Sequence, residues 1–280
     1  DLHINANIID VKAFRVEEAL KENKIVILAG FQGVSPKTKE ITTLGRGGSD
    51  TSAVAMAGYL KADRCEILKD VDCVYTADPK IVSHAKPISH LNYAHLLEMT
   101  SWGAKVLHDR SVQMAQQKNV TLFVGPAANV KAEGTTITSD FKFKQSQPLA
   151  VNSHSTLFQI SDAVDSFLSL LSKNQIAEPR IIYKNNSDFF IAAPDEVLSA
   201  IDHFESKQKQ FQILNKNLSS VTLTYSSDIT NNDKKMALDT LEKSKISIFN
   251  TFETKSSFHF LLMKESRTAA ILNLHQLISN

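Results

Sequence analysis

The chain has 280 residues, 42% hydrophobic and 22% charged, the profile of an ordinary globular protein rather than a disordered one. Lys and Arg number 31 against 30 Asp and Glu, a formal charge of +1 that leaves no electrostatic footprint for nucleic acid or an acidic membrane surface. Two cysteines, Cys65 and Cys73, with no His or further Cys at ligand spacing, argue against a disulfide framework and a zinc site and read as free thiols of a reducing cytoplasm.

No apolar run reaches the length of a membrane span, and the polar opening Asp1-Leu2-His3-Ile4-Asn5 does not read as a signal peptide. The run Lys24 to Ala29, rich in β-branched residues and ended by Gly30, predicts a buried strand. Asp50 to Lys61 predicts a helix whose small residues Ala53, Ala55, Ala57 and Gly58 permit close packing. Arg64 to Leu68 predicts a second strand, and 69–90, with Pro79 and Pro87, a loop-rich stretch. Helices near 92–100 and 109–118 follow, then a strand from Val120 to Val124 ended by Gly125-Pro126. The polar stretch 126–148 reads as a domain boundary.

Beyond it the rhythm changes. Strands are predicted at 156–160, 180–183, 189–193 and 211–215. The apolar spacing of Ala163, Val164, Phe167, Leu168 and Leu171 predicts a helix, and Pro194 with Asp195-Glu196 opens another that runs to Phe204. A second round follows: strand 220–225, helix 234–243, strands 246–251 and 257–263, helix 266–278. A β-α-β-β-α order occurring twice predicts sheets covered by helices on one face. The fold class is therefore α/β, with a first domain over 1–140 and a second region over 148–280.

The strongest chemical signal is Gly45-Arg46-Gly47-Gly48-Ser49-Asp50-Thr51. Glycines let the backbone approach a ligand and present several N–H groups, and the helix that follows adds a partial positive charge at its start. Arg46 can grip a carboxylate or phosphate through two parallel hydrogen bonds. A turn with an N-cap at Ser49 or Asp50 satisfies the same letters. Downstream, Asp70-Val71-Asp72-Cys73-Val74-Tyr75-Thr76-Ala77-Asp78-Pro79-Lys80 offers hard acceptors, an aromatic face and a cation, or else a solvated acidic turn. Trp102-Gly103-Ala104-Lys105-Val106-Leu107-His108 offers a second phosphate-seeking lysine and a histidine that, taken alone, reads as structural.

These three segments, GRGGSDT at 45–51, DVDCVYTADPK at 70–80 and WGAKVLHDR at 102–110, resemble in order and spacing the successive motifs of aspartate kinases in the amino-acid kinase superfamily. The resemblance is close over about residues 20–140 and rests on element order alone beyond that. It implies the C-terminal half of a carbamate-kinase-like three-layer sandwich, followed by two ferredoxin-like ACT domains, one inserted in the other at about 162–217. It implies transfer of the γ-phosphoryl group of ATP, with Mg²⁺, to the β-carboxylate of L-aspartate, giving 4-phospho-L-aspartate for lysine, threonine and methionine biosynthesis.

By the same resemblance, Arg46, Gly47, Gly48 and Ser49 line the aspartate site and Asp50 organises catalysis. Lys69, Asp70, Tyr75 and Lys80 fall at nucleotide contacts, as do Lys105 and Val106. No metal ligand is assigned. A homo-oligomer through ACT sheets, a cytoplasmic location, and lysine or threonine as effector are implied as well.

The chain departs from the family pattern, which has Thr at Lys69, Gly at Cys73, Arg at Lys80 and Pro at Asp109. The stretch Ile160-Ser161-Asp162-Ala163-Val164 lacks the glycine of effector-binding members. The family's opening strand and Lys-Phe-Gly-Gly-Thr-Ser loop have no counterpart, so the first part of the kinase domain is expected upstream of Asp1 and the fragment alone is expected to be inactive. A non-catalytic regulatory subunit and a kinase acting on another amino acid, such as glutamate, are the alternative readings.

Overall fold

The computed structural model describes residues 6–129, 132–161, 164–173, 180–185, 188–192 and 212–279. The helix expected from Pro194 to Phe204, and Asp162-Ala163 ahead of the first C-terminal helix, lie outside the described residues. The chain divides into two units, one of Asp1–Pro79 with Ser83–Ser146, the other of Lys80–Val82 with Gln147–Asn280.

In the first unit, α1 (Phe14–Lys21) precedes a two-stranded ladder of β1 (Gln32–Val34) and β2 (Ile41–Thr43). Helix α2 (Gly48–Leu60) runs into β3 (Cys65–Lys69), and β4 (Val74–Tyr75) pairs with β5 (Pro87–Ile88). Then come β6 (His90–Asn92), α3 (Tyr93–Ser101), α4 (Asp109–Lys118), β7 (Leu122–Pro126) and β8 (Thr135–Thr138). The sheet order is β3-β7-β8-β6, with β3 and β7 parallel and β8 antiparallel to β7. Helix α2 packs on α4 and β3, and α3 packs on α4 and β6. The small residues of α2 serve this: Val54, Ala55 and Ala57 are buried, and Lys61 closes the helix in a left-handed C-cap. Asn92 caps α3, its side chain accepting a hydrogen bond from the His95 N–H at 2.9 Å.

Two expectations for this unit are corrected. Lys24 to Ala29 is not a strand, and Ile25 and Ile27 are 94% and 93% exposed. An apolar β-branched run becomes a buried strand only where a neighbour accepts its backbone, and none does so among the described residues. The polar stretch after Gly125-Pro126 is not only a boundary: Thr135 to Thr138 form β8, between β7 and β6, with Thr135 and Ile137 fully buried.

The Thr135 hydroxyl donates to the Ile88 carbonyl at 2.6 Å and accepts from the Val74 N–H at 2.8 Å, tying β8 to the β4–β5 ladder. Thr135→Val keeps the shape and strands both buried partners, so urea unfolding should show a loss of about 2–4 kcal/mol. A loss below about 0.5 kcal/mol would mean water replaces the hydroxyl.

The second unit is built on one antiparallel sheet of order β10-β11-β9-β12-β14-β13. Its strands are β9 (Pro148–Ser161), β10 (Arg180–Asn185), β11 (Asp188–Ala192), β12 (Gln212–Tyr225), β13 (Ile248–Glu253) and β14 (Ser257–Met263). Helix α5 (Val164–Lys173) follows β9, α6 (Asn231–Lys243) follows β12, and α7 (Arg267–Ser279) ends the chain after a 3₁₀ turn at Lys264–Ser266. The strands expected at 211–215 and 220–225 are one continuous β12, carried through Asn215 to Ser220 by shifts of register against β9. Bulges let a strand bend and twist without ending, so polar letters there do not mark a break.

The buried faces follow the alternation. Phe158 meets Phe167 of α5 edge to face at 5.5 Å. Val221 and Leu223, on the face that also carries Ser153, lie toward α7, whose Arg267 donates to the Ser153 hydroxyl at 3.1 Å. Thr230 and Asp233 form a reciprocal capping box at the start of α6. On the opposite sheet face, Ser220, Thr222 and Thr224 are fully buried and register with Leu261, His259 and Ser257 of β14. The sheet coils: the rings of Phe190 on β11 and Phe249 on β13, four places apart in the sheet order, are 6.0 Å apart.

Candidate active site

The glycine-rich segment forms the turn from β2 into α2. Gly45 and Gly47 have φ of 73° and 71°. Gly47 is the N-cap of α2 and makes no side-chain cap; the Gly48 N–H turns back onto the Gly45 carbonyl at 2.9 Å, which leaves the Ser49 and Asp50 N–H groups at the helix start for a ligand. A Cβ on Gly47 would lie 2.3 Å from the His108 Cβ, and one on Gly48 would lie 2.8 Å from the Phe31 ring. The loop is thus pressed between the start of α4 and Phe31, and only glycine fits both places. Arg46 and Ser49 are exposed, while Asp50 is mostly buried.

Lys69 ends β3, and its ammonium donates to an Asp50 carboxylate oxygen at 3.1 Å. Because β3 and β7 are parallel, their carboxyl ends and the start of α2 meet at one edge of the sheet, the usual place for ligands in α/β proteins. His108 caps α4, its Nδ1 accepting from the Arg110 N–H at 3.5 Å. Burial lowers its pKa and the Asp109 carboxylate partly offsets this, with Arg110 and Arg46 lowering it further. His108 is therefore biased to the neutral form, as a packing wall for the glycine loop rather than a cation beside Arg46.

Arg110 fastens the loop from the other side. Its guanidinium donates to the Leu44 carbonyl and the Ala6 carbonyl, each at 2.7 Å, and to the Asn7 side-chain oxygen at 2.9 Å. A cavity of about 1010 Å³ opens beside the loop, lined by Leu44, Ser49, Ser52 and Met56 with residues of 6–12 and 28–36.

Arg46, Gly47, Asp50, Lys69 and His108 are thus brought together. Asp70 is exposed, and half-buried Tyr75 donates to the Asp72 carboxylate at 3.4 Å. Burial raises the Tyr75 pKa, so it stays a neutral phenol. Lys105 is exposed and Val106 half-buried on the turn leading to His108. Lys80 belongs to the second unit. Sequence reasoning passed over Arg110 and the Lys69–Asp50 pair. The signal for Arg110 was present, an arginine two residues after the histidine of the third motif; the ion pair joins positions 19 residues apart and left no local mark.

Residues 2–126 match the model of the amino acid kinase family. The particular relatives that this stretch of the chain resembles are aspartokinases. The aspartokinase of Corynebacterium glutamicum is 56% identical over 122 residues, which is 44% of this chain and 29% of that one. The aspartokinase of Helicobacter pylori is 49% identical over 140 residues, 50% of this chain and 34% of the relative. The chain therefore matches about a third of the length of these relatives.

Among solved structures, Escherichia coli aspartokinase III in complex with aspartate and ADP has a TM-score of 0.75 at 24% identity, over 96% of this chain and 63% of that one. The same enzyme in complex with lysine and aspartate gives 0.71 at 25%, with the same coverage. These likenesses fix the fold as the α/β amino-acid kinase fold with an additional C-terminal sheet region.

Proposed function

We propose that the chain is the C-terminal half of an aspartate kinase's three-layer kinase domain joined to its regulatory region, and that the intact protein transfers the γ-phosphoryl group of ATP to the β-carboxylate of L-aspartate. The observation that carries this reading is the loop of residues 45–50: the Ser49 and Asp50 N–H groups at the start of α2, the Arg46 guanidinium, and Asp50 held by Lys69, beside an open cavity. Phosphoryl transfer needs positioning and charge neutralisation more than covalent chemistry, and this arrangement offers both.

In this reading Arg46, Gly47, Gly48 and Ser49 receive aspartate, and Asp50 orients them. Lys69, Asp70, Tyr75, Lys105 and Val106 face the nucleotide. No group of three or more His, Cys, Asp or Glu converges among the described residues, and Asp50 is already ion-paired. A Mg²⁺ ion would therefore be held chiefly by phosphate oxygens of the nucleotide, whose charge it neutralises.

The C-terminal sheet supports two ACT units that share strands. Residues 156–161 of β9 and 212–217 of β12 frame α5, β10 and β11. Residues 148–155 and 218–225 frame α6, β13, β14 and α7. The register shifts between Leu218 and Ser220 mark the passage from one to the other. One unit is then inserted in the other over 156–217, which takes in the end of β9 ahead of the expected 162–217. Similarity to the E. coli enzyme crystallised with lysine favours lysine over threonine as the effector. By the resemblance to the family, the sheets would join copies of the chain in a cytoplasmic homo-oligomer.

The test is acyl-phosphate formation, trapped with hydroxylamine. The C. glutamicum segment that precedes the matched stretch would be fused ahead of this chain. Product dependent on both ATP and aspartate is expected. No product, or equal product with glutamate, would overturn the reading.

A further inference from the structure

Lys69 stands at the last position of β3, opposite Pro126 of β7 in the parallel register, and its carbonyl accepts from the Ala127 N–H at 2.7 Å. The backbone that carries it is therefore fixed by the sheet, while the side chain is a flexible stem with a compact charge at its tip. That ammonium reaches the first turn of α2, where it donates to an Asp50 carboxylate oxygen at 3.1 Å, the two side chains being 27% and 19% exposed. An ammonium has three N–H donors. Asp50 is its one partner among the described residues, so two donors remain, within reach of solvent.

The surroundings select the ligand. The Ser49 and Asp50 N–H groups at the helix start and the exposed Arg46 guanidinium add positive character around the one carboxylate of Asp50. A small carboxylate is met by the planar fork of Arg46. A phosphate chain spreads its charge over several oxygens and takes a point cation such as an ammonium at any of them. No group of three or more His, Cys, Asp or Glu converges among the described residues, so a divalent cation has no protein cage here and would come with the phosphates themselves. The protein's own share of the neutralisation then falls to Lys69. The family pattern has Thr at this position, so this cation is a property of the present chain.

We propose that Lys69 keeps one N–H on Asp50, donates the other two to oxygens of the terminal phosphate of a nucleotide, and so supplies from the chain itself part of the charge neutralisation that a divalent metal provides. The terminal phosphate is the target because Asp50 belongs to the loop that receives the acid, which puts the ammonium where acid and phosphate chain meet. That placing rests on the aspartate kinase reading; metal-free binding of a polyphosphate through Lys69 does not.

The experiment is isothermal titration of the 280-residue chain with a non-hydrolysable ATP analogue and with ADP, each in excess EDTA and in excess Mg²⁺. In EDTA the wild type should bind the triphosphate, and Lys69→Met should weaken that binding at least about 10-fold, the worth of a charge-assisted hydrogen bond. With Mg²⁺ the loss should stay within about threefold, because the metal covers the same oxygens. Lys69→Arg keeps a cation and should hold metal-free binding to within about threefold of the wild type. ADP should weaken less than the triphosphate. Lys69→Met leaves Asp50 without its partner, so Lys69→Met with Asp50→Asn is titrated beside it and should show the same loss confined to EDTA. An equal loss in EDTA and in Mg²⁺ would make Lys69 merely structural and overturn the proposal. So would undetectable triphosphate binding by the wild type in EDTA, or tighter binding by Lys69→Met, which would mean that the ion pair closes the site. Equal weakening of ADP would overturn the terminal placing. The expected pattern of binding without acyl phosphate from the fused protein would leave Lys69 as assigned and sink the aspartate kinase reading.

Discussion

Gly47→Ala should unfold the glycine loop's geometry and, in the fused protein, lower acyl-phosphate formation by at least about 100-fold. Two separate costs add. The φ of 71° disfavours any residue with a Cβ by about 1–2 kcal/mol. The new Cβ would also lie 2.3 Å from the His108 Cβ, far inside contact distance, so either the loop or the start of α4 must move. Together they predict a stability loss of about 2–4 kcal/mol by urea unfolding. The clash is with the first carbon of the His108 side chain, not with its ring alone. His108→Ala should therefore rescue little, whereas His108→Gly should recover part of the loss, leaving the φ cost. If His108→Ala rescued as well as His108→Gly, the clash would lie with the ring, and the account of why the loop is glycine would be wrong.

The second large effect is acid sensitivity of the C-terminal sheet. His259 is fully buried, accepts or donates to the Thr222 hydroxyl at 2.9 Å, and stacks on Phe252 at 4.5 Å. Burial, with His154 adding to it, pushes its pKa down to about 3. The folded value lies below the ordinary value of about 6.5, so the unfolded chain binds the extra proton. Stability from this group is complete above pH about 6.5 and is lost as the pH falls toward about 3, at about 1.4 kcal/mol per unit. Urea midpoints at pH 7.5 and pH 5 should differ by the equivalent of about 2 kcal/mol in the wild type. In His259→Gln, which keeps a hydrogen-bonding group without a titrating charge, most of that difference should vanish. An equal drop in both proteins would assign the acid sensitivity elsewhere.

Much of the first unit was legible because its chemistry is local. Glycines and small residues announce the turn into α2 and its tight packing, and a helix was expected near 92–100, where α3 lies. The C-terminal elements were legible from alternation and helical spacing. Three features were not. Whether Lys24 to Ala29 is a strand depends on a neighbour, which no local pattern encodes. Strand β8 was hidden because its buried letters, Thr135 and Ile137, are short and flanked by polar residues; its threonine is core only through the bonds to Val74 and Ile88. The continuity of β12 through Asn215 to Ser220 depends on bulges against β9, again a property of pairing. At the site, the loop of 45–50 was legible, while its supports, Lys69 against Asp50 and Arg110 against Leu44, are contacts of the folded chain alone.

The account stands on Arg46 and the start of α2 receiving the small acid rather than the nucleotide. Steady-state kinetics of Arg46→Ala in the fused protein address this directly. The KM for aspartate should rise at least about 100-fold while the KM for ATP stays within about threefold, and Arg46→Lys should recover only part of the loss because the bidentate fork is gone. An unchanged aspartate KM, or a loss confined to ATP, would contradict the assignment of this loop.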